Sequence, residues 1–353
     1  MRHSHEKGRH AGVAAALAAA ALFGAGTPIA KLLLPGTGAV VLAALLYTGA
    51  GLGLVALGLA RRIIGRPSRE AALRRHDLPL VAGVVLSGGV VAPVLLLLGL
   101  ERLPAADTSL LLNLEVPFTV LLAVLLFGEH IGARTLVATA LVVLGAGALG
   151  AGAAPLGGRW SGTVLVAAAC LGWAFDNNLT QRLSLRDPVA IARVKTIAAG
   201  ALNLAVALVA GQALPPAPRV AGALALGSVS FGLSIALAVR AMALLGAARQ
   251  AALFAVAPFM GAVTSSVLLG DDVNLVGGAV MGVGVALLVR ERHGHAHVHE
   301  ALEHDHLHVH DEHHDHEHAG DVEPGEPHSH LHRHVRLTHA HPHVSDVHHR
   351  HRH

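Results

Sequence analysis

Ten apolar stretches of about 20 residues each, separated by short runs of Pro, Gly and charge, occupy this chain from residue 11 to residue 290. An α-helix rises 1.5 Å per residue, so about 20 residues cross roughly 30 Å of hydrocarbon. In hydrocarbon a backbone must satisfy its own hydrogen bonds, and a helix does so within one segment. The approximate limits are 11–33, 38–60, 78–100, 106–127, 133–152, 160–181, 187–210, 220–243, 247–269 and 273–290. With 53% hydrophobic residues, 14% charged and a mean hydropathy of +0.56, the chain is far more apolar than a single soluble core requires. The expected fold class is an all-α polytopic membrane protein of ten transmembrane helices, followed after Arg290 by a polar tail crowded with histidine.

An even number of spans returns the chain to its starting side, and Lys and Arg choose that side. Arg61, Arg62, Arg66, Arg69, Arg74, Arg75, Arg134, Arg182, Arg186, Arg249, Arg290 and Arg292 fall on the side of Arg2, Lys7 and Arg9. The opposite loops hold Arg102, Arg159 and Arg219. Both termini are therefore expected in the cytoplasm, with the spans in the inner (plasma) membrane. The first apolar run continues through Lys31 to Leu34 without a convincing cleavage site, so it reads as a retained helix behind a cytoplasmic segment of residues 1–10. A pI near 9.6 does not imply nucleic acid, because stacking aromatics make up only 3% of the chain. The single cysteine, Cys170, excludes an intrachain disulfide and reads as a small core residue. No phosphate loop, nucleophile elbow or carboxylate pair at enzymatic spacing is present, so the chain is not expected to be an enzyme.

The spans also repeat. Glu115–Glu129 (EVPFTVLLAVLLFGE) matches Ala257–Asp271 (APFMGAVTSSVLLGD) at an offset of 142 residues, each an apolar helix with proline near one end and Gly-acid at the other. Phe23–Lys31 matches Trp173–Gln181 more weakly. Five spans per half is an odd number, so the halves enter the membrane from opposite sides, the inverted-repeat design of many secondary carriers. In LFGAGTPIAK (Leu22–Lys31), LERLPAADTSLLLNLEVPFTVLLAVLLFGE (Leu100–Glu129), LGWAF (Leu171–Phe175) and APFMGAVTSSVLLGD, the chain resembles the EamA-type ten-helix members of the drug/metabolite transporter superfamily. The resemblance implies a first five-helix repeat over residues 11–152, a second over 160–291, and a C-terminal addition over 292–353. The family places Glu directly before Pro in the fourth helix. Here Val116 separates Glu115 from Pro117, and Ala257 stands at the glutamate's place in the second half. A role at that position therefore rests on Glu115.

Ionisable groups deep in a span are costly and by default belong to a translocation path. Glu115 lies roughly 13 Å from the end of its span at 1.5 Å per residue, close to the midplane, where a carboxyl can carry a proton or bind a cation. Asp176, Asn177, Asn178 and Gln181 are the densest polar cluster in the spans, and they either line the path or mark an early end of helix six. Lys195 is a candidate partner for Glu115. Arg193, Lys31 and Arg240 are expected to snorkel. Asn113 and Asn203 read as interhelical hydrogen bonds, Glu129 and Asp271 as turn formers, and the Gly-rich runs at 49–58, 145–152 and 277–284 as close packing.

The tail alternates histidine in clusters: His293, His295, His297, His299; His304, His306, His308, His310; His313, His314, His316, His318; and, after a Pro-Gly break, His328, His330, His332 and His334, with further clusters to His353. Alternation sets imidazoles on one side of an extended chain about 7 Å apart, near enough to fold around one ion. Imidazole favours Zn, Ni, Co or Cu over Mg or Ca. Such a segment buries no core and is expected to be disordered without metal. An expression tag fits poorly with its interleaved acids, while a pH-responsive polyelectrolyte is the competing reading. The whole chain thus reads as a secondary transporter of a small metabolite or drug-like solute, an exporter by alternating access, with no required cofactor and a metal-binding cytoplasmic tail. The alternatives are a transition-metal ion transporter and a membrane-anchored metal sensor or buffer. Expected partners are the lipid bilayer and the solute, with no nucleic acid; a homodimer is left open.

Overall fold

The computed structural model describes residues 2–64, 72–127, 132–150, 156–183, 186–245, 247–289, 293–299, 302–308, 328–334 and 337–343. Up to residue 289 these residues fold into ten consecutive helical rods: α1 (Arg2–Leu33), α2 (Ala39–Ile63), α3 (Arg75–Arg102), α4 (Ala105–Leu125), α5 (Ala133–Gly150), α6 (Leu156–Gln181), α7 (Pro188–Val209), α8 (Ala217–Met242), α9 (Arg249–Leu269) and α10 (Leu275–Val289). Local chemistry sets the ends. Asp187 caps α7 by accepting from the Val189 and Ala190 amides (2.8 and 3.1 Å), and Pro188 in the first turn lacks the amide that a helix start leaves unused. Gly270, at φ +69°, ends α9 in the left-handed conformation that a side chain would resist. The helices are not turned inward by apolar side chains alone: Leu125, Val209, Val267 and Leu275 are largely exposed, as a lipid-facing surface requires.

Packing follows a pseudo-two-fold pattern. α2 lies against α7 and α5 against α10, each helix on its own repeat equivalent. α1 packs on α8 and α9 in the way that α6 packs on α3 and α4. The irregularities repeat as well. A π-helical segment interrupts α3 at Val85–Val91 and α8 at Gly227–Leu233, 142 residues apart. A 3₁₀ turn at Leu112–Leu114 breaks α4, and a turn at residues 255–256 breaks α9 at the equivalent depth. The small residues expected at helix crossings do their work at α2 and α8: a Cβ on Gly49 would strike the Leu224 backbone, and one on Gly227 the Leu46 backbone.

Two polar clasps fix the opposite faces. On one, Arg186 Nε donates to Asp77 Oδ2 (2.8 Å), tying the α6–α7 connection to the start of α3. On the other, Lys31 at the end of α1 donates to the carbonyls of Leu100 and Leu103, the latter at 2.9 Å, at the end of α3. Lys31 therefore does not snorkel as the sequence suggested; two carbonyls at a helix end are a nearer partner than headgroup water. Asp271, expected only to form a turn, instead accepts from the Ala105 and Ala106 amides (2.8 and 3.2 Å) and from Ser265 Oγ (2.6 Å), capping α4 from the other repeat.

β1 (His293–His299) pairs antiparallel with β4 (Leu337–His343), and β2 (Leu302–His308) with β3 (His328–His334). Alternation of histidine with other residues is also the period-two pattern of a strand, which accommodates such ladders without a core. His310, His313, His314, His316 and His318 lie outside the described residues, as do Arg66, Arg69 and Glu129.

Candidate functional site

A cavity of about 420 Å³ lies where the two repeats meet. Its walls come from α1, α2 and α4 of the first repeat and from α6, α7, α8, α9 and α10 of the second. The helix irregularities bound it: Leu112, Asn113 and Glu115 belong to the break in α4, Ala255, Ala257 and Pro258 to the break in α9, and Phe231 to the π-segment of α8. Thr180 and Pro188 carry the cavity from mid-depth toward the face of the α6–α7 connection.

Its charged lining residues are Glu115, Asp176 and Lys195. Lys195 Nζ is in direct contact with Asp176 Oδ2, and Asp176 Oδ1 accepts from Thr180 Oγ1 at 3.1 Å. Lys195 is thus the partner of Asp176 and not, as depth alone suggested, of Glu115. Nineteen residues separate Asp176 from Lys195 in sequence, but the α6–α7 turn brings their helices side by side. Glu115 Oε1 accepts from Asn177 Nδ2 at 2.7 Å, joining α4 to α6. Glu115, Asp176, Asn177 and Lys195 therefore converge on one space. Asn178 and Gln181 are absent from its lining. Asn178 donates to the Ala174 and Thr119 carbonyls (2.8 and 3.2 Å), a buried tie between α6 and α4. Helix α6 runs through Gln181, so the polar cluster does not end it early.

Each of the other polar lining groups donates to a backbone carbonyl. Tyr47 Oη and Trp173 Nε1 both donate to the Gly88 carbonyl (2.7 and 2.9 Å) within the π-segment of α3, where the irregular ladder makes that oxygen available. Asn113 donates to Leu110 O, within its own helix rather than across to another as expected, while Thr196 donates to Ala192 O and Ser234 to Ala19 O. Asn203, outside the lining, bridges to Gly89 O on α3 (3.2 Å), the interhelical bond its position suggested.

Sequence reasoning passed over the aromatics. The chain has seven Phe, two Trp and one Tyr, and half of them, Phe23, Tyr47, Trp173, Phe231 and Phe254, line this cavity. Phe23 meets Phe231 edge-on (5.7 Å, 88°) and Phe254 at a tilt (5.4 Å), while Tyr47 lies 6.3 Å from Phe231. Cys170, buried against the Leu111 carbonyl, is the core residue its setting suggested.

Two packed inverted repeats with an aromatic-lined cavity between them that holds three charged side chains define a polytopic membrane carrier. The pattern of the EamA-like transporter family matches residues 10–150 and again residues 160–290, and the chain belongs to that family. It is 30% identical over 293 residues to an uncharacterized transporter of Methanothermobacter thermautotrophicus, covering 77% of this chain and 84% of the relative. A protein known from a crystal structure shares the fold, with a TM-score of 0.55 at 18% identity over 78% of this chain and 96% of that one. The protein is a membrane transporter of a small solute.

Proposed function

We propose that this chain exports a small organic solute across the inner membrane by alternating access, with both termini in the cytoplasm and the cavity as its transport site. The observation that carries the reading is the convergence of Glu115, Asp176, Asn177 and Lys195 on a cavity between inverted repeats, since intramembrane ionisable groups are retained where they serve a path. The orientation is supported by Arg61, Arg62, Arg74, Arg75, Arg182 and Arg186, which gather on the face joined by the Arg186–Asp77 pair; the cavity extends toward that same face, open to loading from the cytoplasm.

In this reading the tail is a cytoplasmic binder of Zn, Ni, Co or Cu through His293–His299, His304–His310, His313–His318 and His328–His334, acting as a buffer or sensor beside the carrier. Among the described residues the cavity lining contains no imidazole and no thiol, which argues against a transition-metal ion as the cargo. A deletion strain complemented with wild type or Glu115→Gln tests both points through a metabolite-export screen run beside metal-dependent growth. Wild type restores export of an organic solute and Glu115→Gln does not, while neither changes metal flux. Export unaffected by Glu115→Gln would remove the site, and metal flux that depends on Glu115 would make the cargo a metal ion.

A further inference from the structure

We propose that the solute is an amphipathic organic cation: an aromatic or similarly apolar body bearing one amine. This rests on the cavity being the transport site. On the donor side, the Lys195 ammonium is held by Asp176, and Tyr47 and Trp173 are both spent on Gly88 O. Thr180 is spent on Asp176, and Asn177 on Glu115. On the acceptor side, Asp176 uses both carboxylate oxygens, but Glu115 receives its side-chain hydrogen bond at Oε1, from Asn177. Among the described residues, no donor meets Glu115 Oε2. What the cavity lacks is therefore a donor, and what it offers is an acceptor.

Charge points the same way. Two carboxyl groups face one ammonium, so a second positive charge completes the site, whereas a solute carboxylate would meet Glu115 and find the one cation already engaged. A zwitterion would have to break the Lys195–Asp176 contact to place its acid. Much of the remaining wall is ring and aliphatic surface. Phe23, Tyr47, Trp173, Phe231 and Phe254 can receive an apolar body, and their ring faces attract a cation rather than repel it.

The test compares one ring carrying three charges. Tyramine, L-tyrosine and 4-hydroxyphenylacetate are measured for binding to the purified full-length protein and for counterflow in proteoliposomes. Tyramine binds and exchanges in preference to the other two. Glu115→Gln weakens its binding by about 10- to 100-fold, the loss of one charge-assisted hydrogen bond, while Glu115→Asp retains part of the affinity. Size-exclusion profiles matching wild type show that both variants are folded. Tyramine affinity unchanged in Glu115→Gln would overturn the proposal. Preferred exchange of L-tyrosine or of the acid, lost in Glu115→Gln, would keep the cavity as the path and remove the cation assignment. Absence of exchange for all three would remove the cation assignment together with the cavity as the transport site.

Discussion

Gly88 serves the site twice. Its carbonyl collects the Tyr47 hydroxyl and the Trp173 indole, and its α-carbon lies so close to the Asp176 carboxylate that a Cβ there would overlap it. Gly88→Ala must push Asp176 away from Lys195, and overpacking of this kind costs about 1–3 kcal/mol. The expected result is a lower melting temperature together with lost solute exchange; an unchanged value of both would show that the contact is dispensable. The ion pair itself makes a second, sharper case. Asp176 is buried and Lys195 mostly so, and removing one partner of a buried pair typically costs about 3–5 kcal/mol because the other charge is left uncompensated. Lys195→Met should therefore be severely destabilised, and Lys195→Met combined with Asp176→Asn should recover most of the stability but not the transport. A double-mutant cycle on thermal unfolding measures the coupling, and additive losses would refute it.

At the scale of helices, a side chain of one repeat caps a helix of the other. Helix α4 begins after Pro104, which has no side chain able to cap it, and its first amides are taken by Asp271, just past the end of α9. Lys31 does the converse at the end of α3, so an anion sits at a helix N-terminus and a cation at a helix C-terminus on one face. Asp271→Ala should cost about 0.5–2 kcal/mol, the usual value of a lost cap, with faster amide exchange over residues 105–108, while Asp271→Asn should lose much less. Equal exchange in all three proteins would mean that the cap contributes nothing. The sequence flagged Gly270 and Asp271 as a turn, which they are, but the cap joins residues 166 positions apart. Local spacing carries no information about such a partner. The same limit explains Lys195: its depth in α7 was readable, whereas its choice of Asp176 over Glu115 depends on how α6 turns against α7. The π-segments at 85–91 and 227–233 fall at the very offset of the sequence repeat, yet neither contains a residue type that announces a π-helix.

For the whole molecule, what was legible is what the bilayer dictates. Spans of about 20 apolar residues have one solution in hydrocarbon, and the 142-residue offset fixed their grouping, which the packing of α2 on α7 and α5 on α10 realises. The aromatic half of the cavity was not legible, because Phe23, Tyr47, Phe231 and Phe254 are spread over four helices and look like ordinary core residues one at a time. The tail obeys a different physics. Among the described residues the main packing partners of α1 to α10 are one another, so the carrier has a core of its own. Deleting residues 292–353 should leave melting temperature and solute exchange as in wild type and abolish zinc and nickel binding. In the backbone register of the two ladders, His295 stands opposite His341 and His306 opposite His330, so histidines from distant clusters are brought together. Because a metal binds neutral imidazole, metal held by the intact protein should be released as pH falls through about 6.5, histidine's reference value. Metal content measured across that range checks the tail alone, and solute flux measured on the same samples checks its independence: flux lost with residues 292–353 would make the tail part of the transport cycle.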